Sequence, residues 1–187
     1  MRTIRMVCCI ALFLLCLPGI YHAQAQVKPR TQARILFLSH STGSNIWGGG
    51  VKEWFNAYNA GHGTAYIIEK IAFPKKAPYG WANYPYDYWN IWVNHAGLMP
   101  YKEEPTLELL TKHYDVIVLK HCFPVSAIAA DAGAADIASS KKTIGNYQLQ
   151  YNALKEKMRQ FPNTVFVVWT GAAQVKSQMT PENAENA

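Results

Sequence analysis

The sequence predicts an α/β protein built on a doubly wound parallel sheet with helices on both faces. Three observations carry that expectation. Residues 34–38, 115–119 and 164–169 hold the continuously apolar runs Ile-Leu-Phe-Leu, Val-Ile-Val-Leu and Val-Phe-Val-Val. β-rich runs without alternation suit parallel strands buried on both faces. Helical stripes fill the intervals between the runs, and no internal repeat interrupts the order.

The chain opens on an address rather than on structure. Arg2 and Arg5 precede an apolar run over residues 6–17, which Pro18 and Gly19 break before Ala23-Gln24-Ala25. A basic start, a short apolar core and a small-x-small end read as a secretory signal peptide over residues 1–25. The run is shorter than the roughly 20 residues a spanning helix needs, so no membrane attachment is expected after cleavage. A lipoprotein reading would use Cys16, but Leu15 stands where a small residue is wanted. Cleavage after Ala25 leaves one exported domain, residues 26–187, in the periplasm or outside the cell. It also removes Cys8, Cys9 and Cys16 and leaves Cys122. Neither a disulfide framework nor a cysteine metal site is then expected.

The 187 residues are 50% apolar and 16% charged, which excludes a disordered chain. Eighteen basic against twelve acidic residues give a net charge of +6. Losing Arg2 and Arg5 leaves 16 basic residues and a charge of +4. The basic residues do not gather: the longest runs are the pairs Lys75-Lys76 and Lys141-Lys142. No basic stripe for nucleic acid is visible.

Between the strands, Val51, Trp54, Phe55 and Tyr58 fall at i, i+3, i+4 and i+7, one stripe of a helix. Gly61 is placed to stop it. Residues 66–68 are a weaker fourth strand. Leu107 and Leu110 mark a short helix with Pro105 in its first turn. Tyr147, Tyr151, Leu154, Met158 and Phe161 form a further stripe, closed by Pro162. Thr180 as cap, Pro181 and then Glu182 start another helix. Helices that short are marginal alone. The pattern expects this helix and at least one more strand to continue past residue 187; either the chain is a truncated product or the sheet is left with a raw edge.

Residues 73–101 fit neither period. Eight aromatics lie between Tyr79 and Tyr101, among Pro85 and Pro100. The stretch reads as an insertion longer than most loops of compact domains. It is either a satellite core beneath a long loop or a surface for sugars and other ring-shaped ligands. Aromatics bury large areas wherever they sit, which favours the satellite core.

The chemistry falls after the first strand, at Ser39-His40-Ser41-Thr42-Gly43-Ser44-Asn45, followed by Trp47-Gly48-Gly49-Gly50. Open α/β sheets bind ligands at the carboxyl ends of their strands. A serine there lies near backbone N–H groups that stabilise a developing oxyanion. Ser41 is the expected nucleophile, and it needs a base. By type the bases are His40, His62, His95, His113 and His121. Neighbours on an extended strand point to opposite faces, which argues against His40 serving Ser41. His121 ends another strand at the same edge of the sheet and is the possible base. Ser-Thr-Gly-Ser is equally ordinary turn chemistry. The glycine run could cradle a phosphate but lacks the Lys-Ser/Thr of a P-loop, so no cofactor and no metal is expected.

Strand one with Ser39-His40-Ser41-Thr42-Gly43 resembles the first block of the SGNH/GDSL hydrolase superfamily, where Gly-Asp-Ser follows the first strand. Secreted bacterial members show a similar His-Ser-Thr-Gly with Asn-Ile-Trp, a strand ending like Lys120-His121-Cys122-Phe123-Pro124-Val125-Ser126, and a helix leading into Val-Val-Trp-Thr. The resemblance implies a three-layer flavodoxin-like fold and ester hydrolysis by Ser41, whose own N–H would be one oxyanion donor. His40 stands where the family has Asp, and Ser39 where it has Gly. The family's Gly-x-Asn-Asp block aligns with His121-Cys122-Phe123-Pro124, so the second donor would come from Asn94 or Asn45. The final Asp-x-x-His block, which supplies the base, has no counterpart after residue 170, and the chain is expected to be impaired for that reason.

Two functions follow. The first is a secreted SGNH-type esterase or deacetylase acting on a small-molecule or glycan ester. The second is a non-catalytic carbohydrate-binding α/β module that uses the aromatic insertion.

Overall fold

Four parallel strands form one sheet in the order β2-β1-β3-β4. The computed structural model describes residues 30–169, 171 and 174–187. The expected leader, residues 1–25, lies outside them. In chain order the elements are β1 (Gln32–Leu38), α1 (Thr42–Gly48), α2 (Val51–His62), β2 (Ala65–Ile71), α3 (Pro85–Trp89) and α4 (Leu107–Leu110). They continue with β3 (Val116–Leu119), α5 (Ile144–Met158), β4 (Val165–Val168) and α6 (Pro181–Asn186). The three apolar runs are adjacent and parallel, as expected, and the weak fourth strand pairs with the far side of β1. Chain order reverses direction between β1 and β3, a switch point consistent with a flavodoxin-like sheet.

The register sorts side chains onto two faces. Leu36 sits beside Ile117 and Leu38 beside Leu119. These four share the main core with Phe73, Tyr88, Ile91, Trp92, Leu107 and Leu154. Burying each such aliphatic contributes about 1.5–3 kcal/mol. The opposite face carries Ile35, Phe37, Ile68, Val116, Val118 and Val167, and Ile46, Val51 and Phe55 of α1 and α2 lie over part of it.

The aromatic segment departs from the expected satellite core. Most of its rings belong to the main core, because α3 runs straight into a π-helical turn, Asn90–Asn94, that lays Tyr88, Ile91 and Trp92 on the sheet. Tyr88 and Trp92 meet edge to face at 4.9 Å, and Phe73 stacks on Trp92 at 5.1 Å. The Asp87 carboxylate holds the start of α3 by accepting from the N–H groups of Ala82 (2.8 Å), Asn83 (2.6 Å) and Tyr84 (3.3 Å).

Three element ends differ from expectation. Gly63, at φ +62, caps α2 by donating to the Asn59 carbonyl, and Gly61 stays inside the helix. Thr106 takes the extended cap conformation before α4, which leaves Pro105 outside the first turn. Met158 is the last residue of α5, so Phe161 packs on the core from the following loop. Thr180 does cap α6, accepting from the Asn183 N–H at 3.1 Å. Among the described residues no helix is long and apolar enough to cross a membrane.

Candidate active site

Ser41 caps α1 where β1 ends, with a backbone (φ +44, ψ −111) that non-glycine residues seldom adopt. Such a conformation costs on the order of 1–3 kcal/mol and persists only where neighbours impose it. Gly43 is one of those neighbours. A Cβ on Gly43 would stand 2.4 Å from Cβ and Oγ of the fully buried Ser39. The pair Ser39 and Gly43 therefore brackets Ser41 in a turn tight enough to need a glycine. A backbone bond of 2.8 Å from the Gly43 N–H to the His40 carbonyl closes it. Ser41 and Thr42 stand at the start of α1, where a helix leaves its first N–H groups without intrahelical partners.

Ser41 opens onto a cleft of about 390 Å³ at the carboxyl ends of β1 and β3, lined by His40, Lys76, Trp81, Asn83, Tyr84 and Cys122 among others. A larger hollow of about 800 Å³ lies at the amino ends of the strands. It holds the Arg30–Asp115 ion pair and no serine, cysteine or histidine, so the smaller cleft is the one taken as the candidate site.

His40 and Ser41 share this cleft, contrary to the alternation argument. That argument requires extended backbone, and at φ +44 Ser41 is not extended. The His40 Nε2 bonds to the Pro74 carbonyl. A carbonyl only accepts, so Nε2 is the donor in that contact.

His121, the base suggested by position, is not in the lining. It is 5% exposed, with its ring 4.6 Å from Tyr88 and 5.7 Å from Tyr151. Burial pushes its pKa down to about 3, the Lys120 charge adds to that, and the Asn83 backbone carbonyl opposes it. Asn45 is exposed on α1, and Asn94 donates to Asn90 Oδ1 at 3.0 Å; neither lines the cleft. Of the remaining histidines, His62 is bonded to Tyr58 on α2, His95 stacks on Tyr101 at 3.6 Å, and His113 lies at the amino ends of the strands.

Asn83 and Asp87 carry no signal in the sequence, whereas Trp81 and Tyr84 belong to the aromatic stretch noted there and Lys120 to the segment that ends β3. Asn83, at φ +64 and 2% exposed, donates through Nδ2 to the Phe73 carbonyl and accepts at its own carbonyl from the Cys122 N–H at 3.2 Å. It ties the aromatic segment to the loop after β3. Trp81 and Tyr84 bring aromatic surface to the cleft. Lys120 is buried, and its Nζ donates to Thr42 Oγ1 (2.7 Å) and the His121 carbonyl (3.0 Å), fixing the residue after Ser41. Burial holds the Lys120 pKa below the ordinary lysine value, against the pull of Cys122. Asp87 lies behind the wall: burial raises its carboxyl, while its three backbone donors and the His40 charge lower it. The partners are remote in sequence, so only folding brings them to Ser41. Among the described residues no group of three His, Cys, Asp or Glu side chains is placed to hold a metal ion.

No protein-family profile, curated protein or solved structure matches this chain.

Proposed function

We propose that the chain is a secreted SGNH-type serine hydrolase that cleaves an acyl ester through Ser41, with an acylated glycan as the substrate class. One observation carries the reading: the strained backbone of Ser41 at the switch point, bracketed by Ser39 and Gly43. A sharp, strained strand-to-helix turn is how α/β hydrolases expose a nucleophile above their sheet. Turn chemistry alone asks for no such strain, and no close approach of Gly43 to Ser39. The three-layer flavodoxin-like assignment rests on the same resemblance together with the strand order.

Trp81 and Tyr84 in the lining support a sugar as the alcohol part of the ester, since flat rings stack on sugar faces. They equally support the second reading, a carbohydrate-binding module without catalysis. An active-site-directed fluorophosphonate separates the two. Peptide mapping by mass spectrometry should find the adduct on Ser41, and Ser41→Ala should abolish it. Sugar binding by a chain that never labels would establish the module instead. Export is tested by N-terminal sequencing of secreted protein, expected to begin at Gln26.

A further inference from the structure

We propose that the cleft selects for negative charge: the glycan it takes bears acidic groups, carboxylate or sulfate. This rests on the reading of the cleft as a glycan ester site and adds the charge of its substrate. Four lysines far apart in sequence, Lys76, Lys102, Lys120 and Lys142, are gathered around the cleft by the fold. Lys76 is exposed in the lining itself. Lys102 Nζ stands 5.5 Å from the ring centre of Trp81, and Lys142 Nζ 5.0 Å from that of Tyr84, the two aromatic walls. Lys120 is 6% exposed and reaches Thr42, the residue after Ser41.

None of the four forms an ion pair among the described residues, whereas Arg30, Arg34, Lys157 and Arg159 elsewhere on the molecule are each paired with a carboxylate. The carboxylates of this region are engaged otherwise. Asp87 and Glu104 are buried, and they accept from the backbone N–H groups of Ala82, Asn83, Tyr84 and Lys75. Lys120 donates to a hydroxyl and a carbonyl, and Lys142 to the Pro124 carbonyl, so their partners are uncharged. A buried ammonium with neutral partners keeps its charge uncompensated. Lys102 is placed by strained backbone. It and Glu103 hold φ +46 and +64 in a turn closed by the Tyr101–Glu104 bridge. Strain of that kind persists only where the surroundings impose it. A cleft bordered by one sign of charge, with walls of low dielectric, focuses the field and concentrates the opposite charge. Lys76 is placed to touch an acidic group in the cleft, and the other three act through that field.

The experiment is calorimetric binding to Ser41→Ala, in which turnover does not interfere. Acetylated polygalacturonate carries carboxylates, dextran sulfate carries sulfates, and acetylated xylan carries neither. The acidic polymers should bind about 10-fold tighter than the neutral one or better. Most of that preference should vanish as NaCl rises from about 50 mM to about 500 mM, because exposed charges are then screened. The order of the two acidic polymers names the anion. Added to Ser41→Ala, Lys76→Gln should weaken acidic binding about 2- to 5-fold, the size of one exposed ion pair, and Lys76→Gln with Lys102→Gln and Lys142→Gln about 10-fold or more. Affinity for the neutral polymer should not move. Lys52→Gln and Lys155→Gln, on α2 and α5 and outside the lining, should leave both unchanged.

Three results overturn the proposal. One is equal affinity for acidic and neutral polymers at low salt. Another is a loss with the Lys52 and Lys155 variants as large as with those of the cleft, which makes the attraction one of net charge. The third is an oligonucleotide of equal charge binding as tightly as the acidic glycans. A wild type that never labels at Ser41 but keeps the acidic preference strikes the hydrolase reading and leaves the charged cleft standing.

Discussion

The two faces of the sheet are packed in different ways although the strands offer both the same kind of residue. On one face Leu36, Leu38, Ile117 and Leu119 are at most 1% exposed beneath α3, α4, α5 and the aromatic segment. On the other, α1 and α2 leave an apolar groove of about 350 Å³, and Val165 and Val167 are 55% and 39% exposed. Continuous apolar runs announce strands suited to burial on both sides, but they do not say how much cover each side receives. The aromatic segment makes the difference. A π-helical turn wedges Trp92 and Ile91 into the first face, and the second has nothing comparable over β3 and β4 among the described residues.

Adjacent residues of β1 give the sharpest test. Leu36→Asp buries a charge in the packed face and should abolish soluble expression, whereas Ile35→Asp, on the groove side, should leave some folded protein. Equal outcomes would mean that the faces are equivalent. Trp92→Ala should come next, at about 3–5 kcal/mol in denaturant unfolding, because a fully buried ring leaves a cavity among Phe73 and Tyr88.

At the seam between the sheet and α1, Gly43→Ala should cost about 1–3 kcal/mol by overpacking against Ser39 and should lower Ser41 labelling. Adding Ser39→Gly removes the clashing atoms, so the double variant should recover most of both losses. Strictly additive costs would break the argument for the turn.

His121 reports how dry the packed face is. Its folded pKa, about 3, lies below the ordinary value of 6.5, so the unfolded chain binds the extra proton between those limits. Stability is therefore complete above about pH 6.5 and falls as pH drops toward 3, by up to roughly 1.4 kcal/mol per pH unit. The burial-raised carboxyls of Asp87 and Glu104 slope the opposite way, which makes the difference between wild type and His121→Phe the quantity to measure. The variant should lose that dependence between pH 5 and 6.5, and an unchanged difference would mean that water reaches the ring. The smallest effect belongs to Val167→Ala on the open face, below about 1 kcal/mol, since much of that side chain is already in water.

Legible in the residues were the alternation of strands and helices, the three apolar strands and the placing of Ser41 beside a helix start. Each is a local matter: apolar runs, a 3.6-residue stripe, a small polar turn at a strand end. Tertiary structure alone decided the rest. It decided that His40 shares a cleft with Ser41, because one strained φ cancels the alternation on which strand reasoning depends. It decided that His121 is enclosed, because Tyr88 and Tyr151 reach it from distant helices. It brought Asn83, Trp81 and Lys120 to the site, since hydrogen bonds and ring contacts between residues tens of positions apart have no period for a sequence to display.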